Sequence, residues 1–112
     1  MDVIGHFING ELCTPESRTQ PVYNPSTGEA VKQVLLASDT TVKAAISSAQ
    51  AAYPAWRNTP VNKRVQVMFR FKALLEAHAD TIIKLIGEEH GKISHDAAGE
   101  LQRGIENVEF AC

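Results

Sequence analysis

The amino-acid sequence predicts an α+β fold in which a short N-terminal β hairpin is followed by about four α-helices. Two observations lead to this prediction. Short runs of β-branched and aromatic residues, separated by Asn, Gly and Pro, occupy residues 6–36, and such runs are typical of strands joined by turns. From residue 38 onward apolar residues recur every three or four positions, which is the period of an amphipathic helix.

The strand region contains two turn signals. Residues 6–11 are predicted as a strand that runs into a turn at Asn9 and Gly10, because this pair suits the positive φ angles of a type I′ turn. Residues 15–21 are predicted as a polar loop. Residues 22–24 and 30–36 are predicted to pair as a hairpin around the turn that contains Pro25 and Gly28.

The first helix is predicted to begin after an N-cap at Ser38 and to end or kink near Tyr53. Pro54 removes a backbone donor and clashes with the carbonyl group of Gln50, so we expect Trp56 to anchor the turn that follows. One face of this helix is apolar: Val42, Ala45, Ile46, Ala49, Ala52 and Tyr53.

Three further helices are predicted from cap and breaker residues. Thr59 and Pro60 are a cap followed by a proline at the first helical position. Asp80 restarts a helix that ends near Gly91, and Ser94 caps the last helix. The second helix has two apolar faces, one with Val61, Val65, Met68, Lys72 and Leu75, the other with Val67, Phe71 and Leu74. The last helix has one apolar stripe: Ala98, Leu101, Ile105, Val108 and Cys112.

Composition excludes several classes of function. The net charge is −2 and the 11 Lys and Arg residues are scattered, so we expect no nucleic-acid partner. The apolar runs are too short for a membrane span or a signal peptide. Cys13 and Cys112 are expected to be free thiols of a reducing compartment, the cytoplasm or the mitochondrial matrix. We expect no metal site at His90 and His95.

The order of several short motifs resembles the amino-terminal segment of the aldehyde dehydrogenase superfamily over nearly the whole chain. These motifs are Phe7-Ile8-Asn9-Gly10-Glu11, Asn24-Pro25-Ser26-Thr27-Gly28-Glu29, Pro54-Ala55-Trp56, Arg64, Leu74-Leu75-Glu76 and Glu89-His90-Gly91-Lys92. Residues 67–72 and 99–112, above all the run from Arg103 to Ala111, are similar to the methylmalonate-semialdehyde dehydrogenase subfamily.

The resemblance implies an NAD-dependent enzyme that oxidises malonate or methylmalonate semialdehyde in valine, pyrimidine or inositol breakdown. The products are carbon dioxide and an acyl group on coenzyme A. A cysteine thiolate attacks the aldehyde in this family, but that residue lies beyond position 112, and neither Cys13 nor Cys112 matches it. The resemblance therefore assigns no catalytic, cofactor-binding or metal-binding residue to this chain.

One residue, Arg103, receives a role from the resemblance. The family pattern implicates this arginine in binding the free carboxylate of the substrate, for which a guanidinium offers two donors of matching geometry. The spacing of the sequence offers a local alternative. Arg103 lies three residues from both Glu100 and Glu106, so it could instead form an ion pair along the helix.

We expect the chain to be a fragment, inactive alone, since it stops at Cys112 within a predicted helix that has no cap signal. Residues 1–112 would be the amino-terminal segment of the NAD-binding domain, with strands at about 6–36 and helices at about 38–112, without the Rossmann sheet or the catalytic domain. Its expected partners are the remainder of the dehydrogenase chain and further copies of itself. The alternatives are a piece of another aldehyde dehydrogenase, such as a betaine- or succinate-semialdehyde enzyme, and a self-contained helical interaction module.

Overall fold

The computed structural model describes residues 1–15 and 17–112. Their element order is β1 (Asp2–Ile4), β2 (His6–Ile8), β3 (Glu11–Cys13), β4 (Thr19–Tyr23), β5 (Ala30–Leu35), α1 (Asp39–Asn58), α2 (Val61–Ala77), α3 (Ala79–His90) and α4 (Ser94–Ala111). The predicted α+β class, with short strands before four helices, is confirmed. The chain divides into two compact units, Met1–Asn58 and Thr59–Cys112.

The first hairpin of the amino-terminal unit is the one that the Asn-Gly pair predicts. Strands β2 and β3 are antiparallel, with Ile8 opposite Glu11. Asn9 and Gly10 connect them with φ angles of 55° and 78°. Two consecutive positive φ angles define the type I′ turn, whose twist matches that of the flanking strands.

The second hairpin extends further than the sequence predicts. Strand β4 pairs antiparallel with β5 from Thr19 to Tyr23, so the predicted loop at residues 15–21 is wrong for its last three residues; Glu16 of that loop lies outside the described residues. Pro21 lies within β4 and cannot donate a backbone hydrogen bond. It is tolerated because β4 is an edge strand of the sheet β1-β5-β4.

Strand β1 joins this sheet in parallel with β5, with Val3 opposite Gln33. The sequence did not predict β1, because a three-residue segment carries too short an alternation to register as a strand. Its position depends on a pairing across about 30 positions of the chain, which no local pattern records.

Helix α1 begins as predicted but runs past its predicted end. The backbone N–H of Thr41 donates to Oγ of Ser38 at 3.2 Å, which confirms the N-cap. Pro54 lies inside the helix, and α1 continues to Asn58, so the predicted end near Tyr53 is wrong and Trp56 is helical rather than part of a turn. The alternative, a kink near Tyr53, stays a prediction. Ala51 and Ala52 before the proline and Ala55 after it are strong helix formers, which favours continuation of the helix despite the lost hydrogen bond.

Two of the predicted helix starts in the carboxy-terminal unit are shifted by one residue. Pro60, not Thr59, is the N-cap of α2, and Ser94 is the first residue of α4 rather than its cap. The end of α3 is confirmed. Gly91 has a φ angle of 84°, and its N–H donates to the carbonyl oxygen of Gly87 at 2.9 Å.

The core of the carboxy-terminal unit lies under α4, which packs against both α2 and α3. Leu101 and Ile105 of the predicted α4 stripe are buried, whereas Cys112 is exposed. Ala97 was not predicted to belong to this face but has no exposed area. Its methyl group suits a position where another helix approaches closely.

Only one of the two predicted apolar faces of α2 is covered. Val65, Met68 and Leu75 are half-buried, in keeping with the packing of α2 against α4. The other set, Val67, Phe71 and Leu74, is exposed. The apolar face of α1 is also largely open, since Val42, Ile46 and Tyr53 are exposed.

Candidate functional site

The candidate site is the outer surface of α4, which carries Arg103. On the opposite side of this helix Ala97, Leu101 and Ile105 recur every four residues and are buried. Since each residue advances about 100° around a helix, Arg103 lies about 200° from Leu101. The packing that buries Leu101 therefore directs Arg103 outward, and the structure shows it exposed.

The side chain of Arg103 extends back along α4 over Gly99. A Cβ atom added at Gly99 would lie 3.7 Å from Nη1 of Arg103, which is ordinary van der Waals contact. This direction is the one that helical side chains prefer, toward the preceding turn. On the other side Nδ2 of Asn107 donates to the carbonyl oxygen of Arg103 at 2.9 Å. The glycine thus leaves room beside the guanidinium.

The two glutamates that could neutralise Arg103 have other partners. Glu100 accepts a short hydrogen bond from Nζ of Lys92, which also forms an ion pair with it. Glu106 accepts from Nε2 of Gln102 at 3.5 Å. No carboxylate oxygen among residues 1–15 and 17–112 lies within 4.0 Å of the Arg103 guanidinium. The alternative in which Arg103 pairs along its own helix is not the arrangement observed.

Lys92 lowers the pKa of Glu100. Its hydrogen bond is the main reason that the pKa of Glu100 lies below the ordinary value of 4.5, and the charges of Lys92, His90 and Arg103 act in the same direction. At neutral pH Glu100 is ionised and forms an ion pair with Lys92. The guanidinium of Arg103 is thus exposed, and the neighbouring carboxylate of Glu100 is already paired with Lys92.

A second lysine, Lys72, forms an ion pair between α2 and α4. Nζ of Lys72 lies 3.2 Å from Oε1 of Glu109 and 3.6 Å from Oε1 of Glu76. The hydrogen bond and the charge of Glu109 raise the pKa of Lys72 above its ordinary value of 10.5. This pair joins the carboxy-terminal part of α4, the helix that carries Arg103, to α2.

Other candidate chemistry does not gather at a site. Cys13 is half-buried and Cys112 is exposed, and both are free thiols. Within the described ranges no three His, Cys, Asp or Glu side chains come close enough together to hold a metal ion. None of the described helices has the length and apolar character needed to cross a membrane.

The arrangement around Arg103 can bind a carboxylate. Its guanidinium is exposed and carries a fixed charge, and no described acid competes for it. The family resemblance pointed to Arg103 but not to Lys92, which forms an ion pair with Glu100. No local signal predicts that pair, because it joins a residue of the loop before α4 to a residue inside α4, eight positions apart.

Comparison with known proteins gives a consistent set of relatives. An aldehyde dehydrogenase family model matches residues 13–112. The chain is 58% identical over all its 112 residues to malonate-semialdehyde dehydrogenase from Pseudomonas aeruginosa, of which it covers 22%.

Two solved structures contain the same fold as their amino-terminal part. Methylmalonate-semialdehyde dehydrogenase from Oceanimonas doudoroffii matches the whole chain at 68% identity with a TM-score of 0.98, and 23% of that protein is covered. A Sinorhizobium meliloti protein assigned as a methylmalonate-semialdehyde dehydrogenase, solved in complex with NAD, matches 98% of the chain at 39% identity with a TM-score of 0.95; 23% of it is covered.

The chain thus spans less than a quarter of the length of these relatives. The family model, in contrast, covers all but the first 12 residues of the chain. With the fold matched along its entire length by solved members, this chain belongs to the aldehyde dehydrogenase family.

Proposed function

We propose that this chain is the amino-terminal part of an NAD-dependent, coenzyme A-acylating dehydrogenase that acts on malonate or methylmalonate semialdehyde. The observation that carries the proposal is the similarity along the whole chain to relatives with these substrates in their names, at 58% and 68% identity. The solved relative with bound NAD supports the choice of nucleotide. Coenzyme A, and a place in valine, pyrimidine or inositol breakdown, follow from the resemblance of residues 99–112 to that subfamily.

In the intact enzyme Arg103 binds the carboxylate of the substrate. A semialdehyde acid carries one negative group that does not react during oxidation, and the enzyme can orient the molecule by holding that group. Arg103 suits this task because its guanidinium is exposed and the adjacent Glu100 is committed to Lys92. A planar guanidinium donates two parallel hydrogen bonds to a carboxylate, which fixes direction as well as position.

The residues of this chain bind and orient, and the reacting groups are supplied by the remainder of the enzyme. When bound to the remainder of the enzyme, NAD would supply the hydride acceptor and coenzyme A the acyl acceptor. The proposal assigns neither cofactor, nor the cysteine nucleophile, to residues 1–112. The chain alone is therefore expected to be inactive. The intact enzyme is expected in the cytoplasm or the mitochondrial matrix of its source.

The open apolar faces argue against the alternative of a self-contained helical module. Such a module buries its own apolar surface, whereas Val67, Phe71 and Leu74 of α2 are exposed here. The other alternative, a piece of a betaine- or succinate-semialdehyde enzyme, is disfavoured by relatives that carry malonate or methylmalonate semialdehyde in their names.

Turnover by two proteins tests this proposal. One is the chain of 112 residues, and the other is the protein encoded by the extended reading frame. With malonate semialdehyde, NAD and coenzyme A, the extended protein should form NADH and acyl-coenzyme A in equal amounts, and the chain alone should form neither. Two results would contradict the proposal. One is NADH formation by the purified chain. The other is an extended protein that is inactive on both semialdehyde acids but active on betaine aldehyde.

A further inference from the structure

The ion pair of Lys92 and Glu100 lies one helical turn before Arg103 and joins two different elements. Lys92 belongs to the loop before α4, and its Nζ atom donates a short hydrogen bond to Glu100 inside the helix. The two side chains are 28% and 45% exposed, so solvent reaches the pair without surrounding it. The pair therefore determines where the carboxylate of Glu100 lies relative to the guanidinium of Arg103.

The backbone of Lys92 is held in place by the end of α3. Gly91 ends this helix with a φ angle of 84°, and its N–H donates to the carbonyl oxygen of Gly87. A Cβ atom added at Gly87 would lie 3.4 Å from the carbonyl oxygen of Lys92, so the loop runs directly against α3. Because α3 in turn packs against α4, Lys92 reaches Glu100 from a fixed position.

Glu100 is placed to compete for Arg103. Residues three apart are neighbours on a helix surface, and an acid that precedes its cation along the helix pairs better than one that follows it. Glu100 precedes Arg103, whereas Glu106 follows it. The charge of Arg103 contributes to the lowered pKa of Glu100, so the two side chains already attract each other across the turn.

The two side chains nevertheless extend in different directions. Arg103 lies over Gly99, where an added Cβ atom would be 3.7 Å from its Nη1 atom. Gly99 and Glu100 are about 100° apart around the helix axis. Glu100 extends instead to Lys92. The missing side chain at Gly99 and the cation at Lys92 together keep the carboxylate away from the guanidinium.

We propose that Lys92 is a positioning residue that holds Glu100 away from Arg103 and so keeps the guanidinium available to the carboxylate of the substrate. The inference deepens the proposed function and rests on it, since it concerns the same carboxylate site. Without Lys92, Glu100 becomes an internal competitor of the semialdehyde acid, and its negative charge also repels the substrate. Lys92 acts only through Glu100, so its effect is confined to charged aldehydes.

Removal of either half of the pair separates this role from a structural one. In the extended protein Lys92→Met should raise the KM for malonate semialdehyde about two- to sixfold, because a competing ion pair on a helix surface is weak. The kcat, and the KM for an uncharged aldehyde of similar size, should not change. Glu100→Gln breaks the same ion pair but removes the competitor, so the KM for the acid should stay the same or fall.

The double variant Lys92→Met/Glu100→Gln should restore the KM for the semialdehyde acid, because no competitor remains. Lys84→Met is the matched control: Lys84 also pairs with a glutamate, Glu88, at 3.7 Å, but within α3. It should leave the KM for both aldehydes unchanged. Thermal unfolding of each variant verifies its fold, and Lys92→Met and Glu100→Gln should lower the Tm by similar small amounts because both lose the same pair.

Three outcomes would overturn the inference and leave the proposed function intact. They are an unchanged KM in Lys92→Met, an equal rise of KM in Lys92→Met and Glu100→Gln, and a rise in Lys92→Met that the double variant does not reverse. The last two would give the pair a structural role. An extended protein that oxidises neither semialdehyde acid would instead contradict the proposed function, and the inference with it.

Discussion

The proposed role of Arg103 predicts a loss of activity that depends on the charge of the substrate. In the extended protein Arg103→Leu should lower kcat/KM for malonate semialdehyde, chiefly through a higher KM, and should affect an uncharged aldehyde of similar size only slightly. Leucine and arginine have similar helix propensities, so the substitution leaves α4 intact. The exposed guanidinium makes no ion pair with a described carboxylate, so little stability is lost with it.

The size of the effect follows from the bond that is removed. A hydrogen bond between charged partners contributes about 1.5–3 kcal/mol. At about 1.4 kcal/mol per factor of ten, this corresponds to a fall of roughly 10- to 150-fold in kcat/KM for the semialdehyde acid. Arg103→Lys should recover only part of the loss, because an ammonium group lacks the planar pair of donors.

Steady-state NADH formation with both aldehydes provides the assay. Arg57→Leu is a suitable control, because Arg57 is also an exposed helical arginine but lies in α1. It should leave both substrates unaffected. Equal losses for the charged and the uncharged aldehyde in Arg103→Leu would refute the carboxylate role and return Arg103 to a structural one.

Three further predictions concern the chain alone. It should self-associate and bind a hydrophobic dye through faces such as that of Phe71, and a monodisperse monomer at high concentration without dye binding would contradict this. Cys13 and Cys112 should not be bridged, so the mass measured without reductant should equal that of the reduced chain. Glu100→Gln should destabilise the chain at neutral pH, because the lowered pKa of Glu100 stabilises the folded state above pH 4.5. That difference should fade as the pH falls through the lowered pKa, and urea unfolding with an unchanged difference at low pH would exclude the Lys92 pair as its cause.

Elements with strong local signals were predicted well. The Asn9-Gly10 turn, the Ser38 cap and the Gly91 end of α3 each depend on the conformation or hydrogen bonding of one or two residues, and all three are confirmed. Pro54 shows the limit of this reasoning. A proline opposes a helix locally, but the surrounding alanines favour it over many more residues, and the helix continues.

Features that depend on distant pairing were not predictable. Strand β1 forms only because β5 offers it an edge, and β4 begins three residues earlier than expected because its pairing with β5 extends that far. At the candidate site the resemblance pointed to Arg103, but the ion pair of Glu100 is formed with Lys92, which lies in the loop before α4. Sequence spacing favoured a pair within the helix, and the structure instead shows Glu100 bound to a lysine outside it.

The coding sequence downstream of the Cys112 codon tests the central claim most directly. If the chain is the amino-terminal part of a longer dehydrogenase, the reading frame should continue and should encode a nicotinamide-binding sheet and a further cysteine that serves as the nucleophile. Its total length should approach that of the relatives, of which the present chain covers 22–23%. A stop codon directly after Cys112 in the genome, with the chain accumulating as a stable protein, would contradict the account.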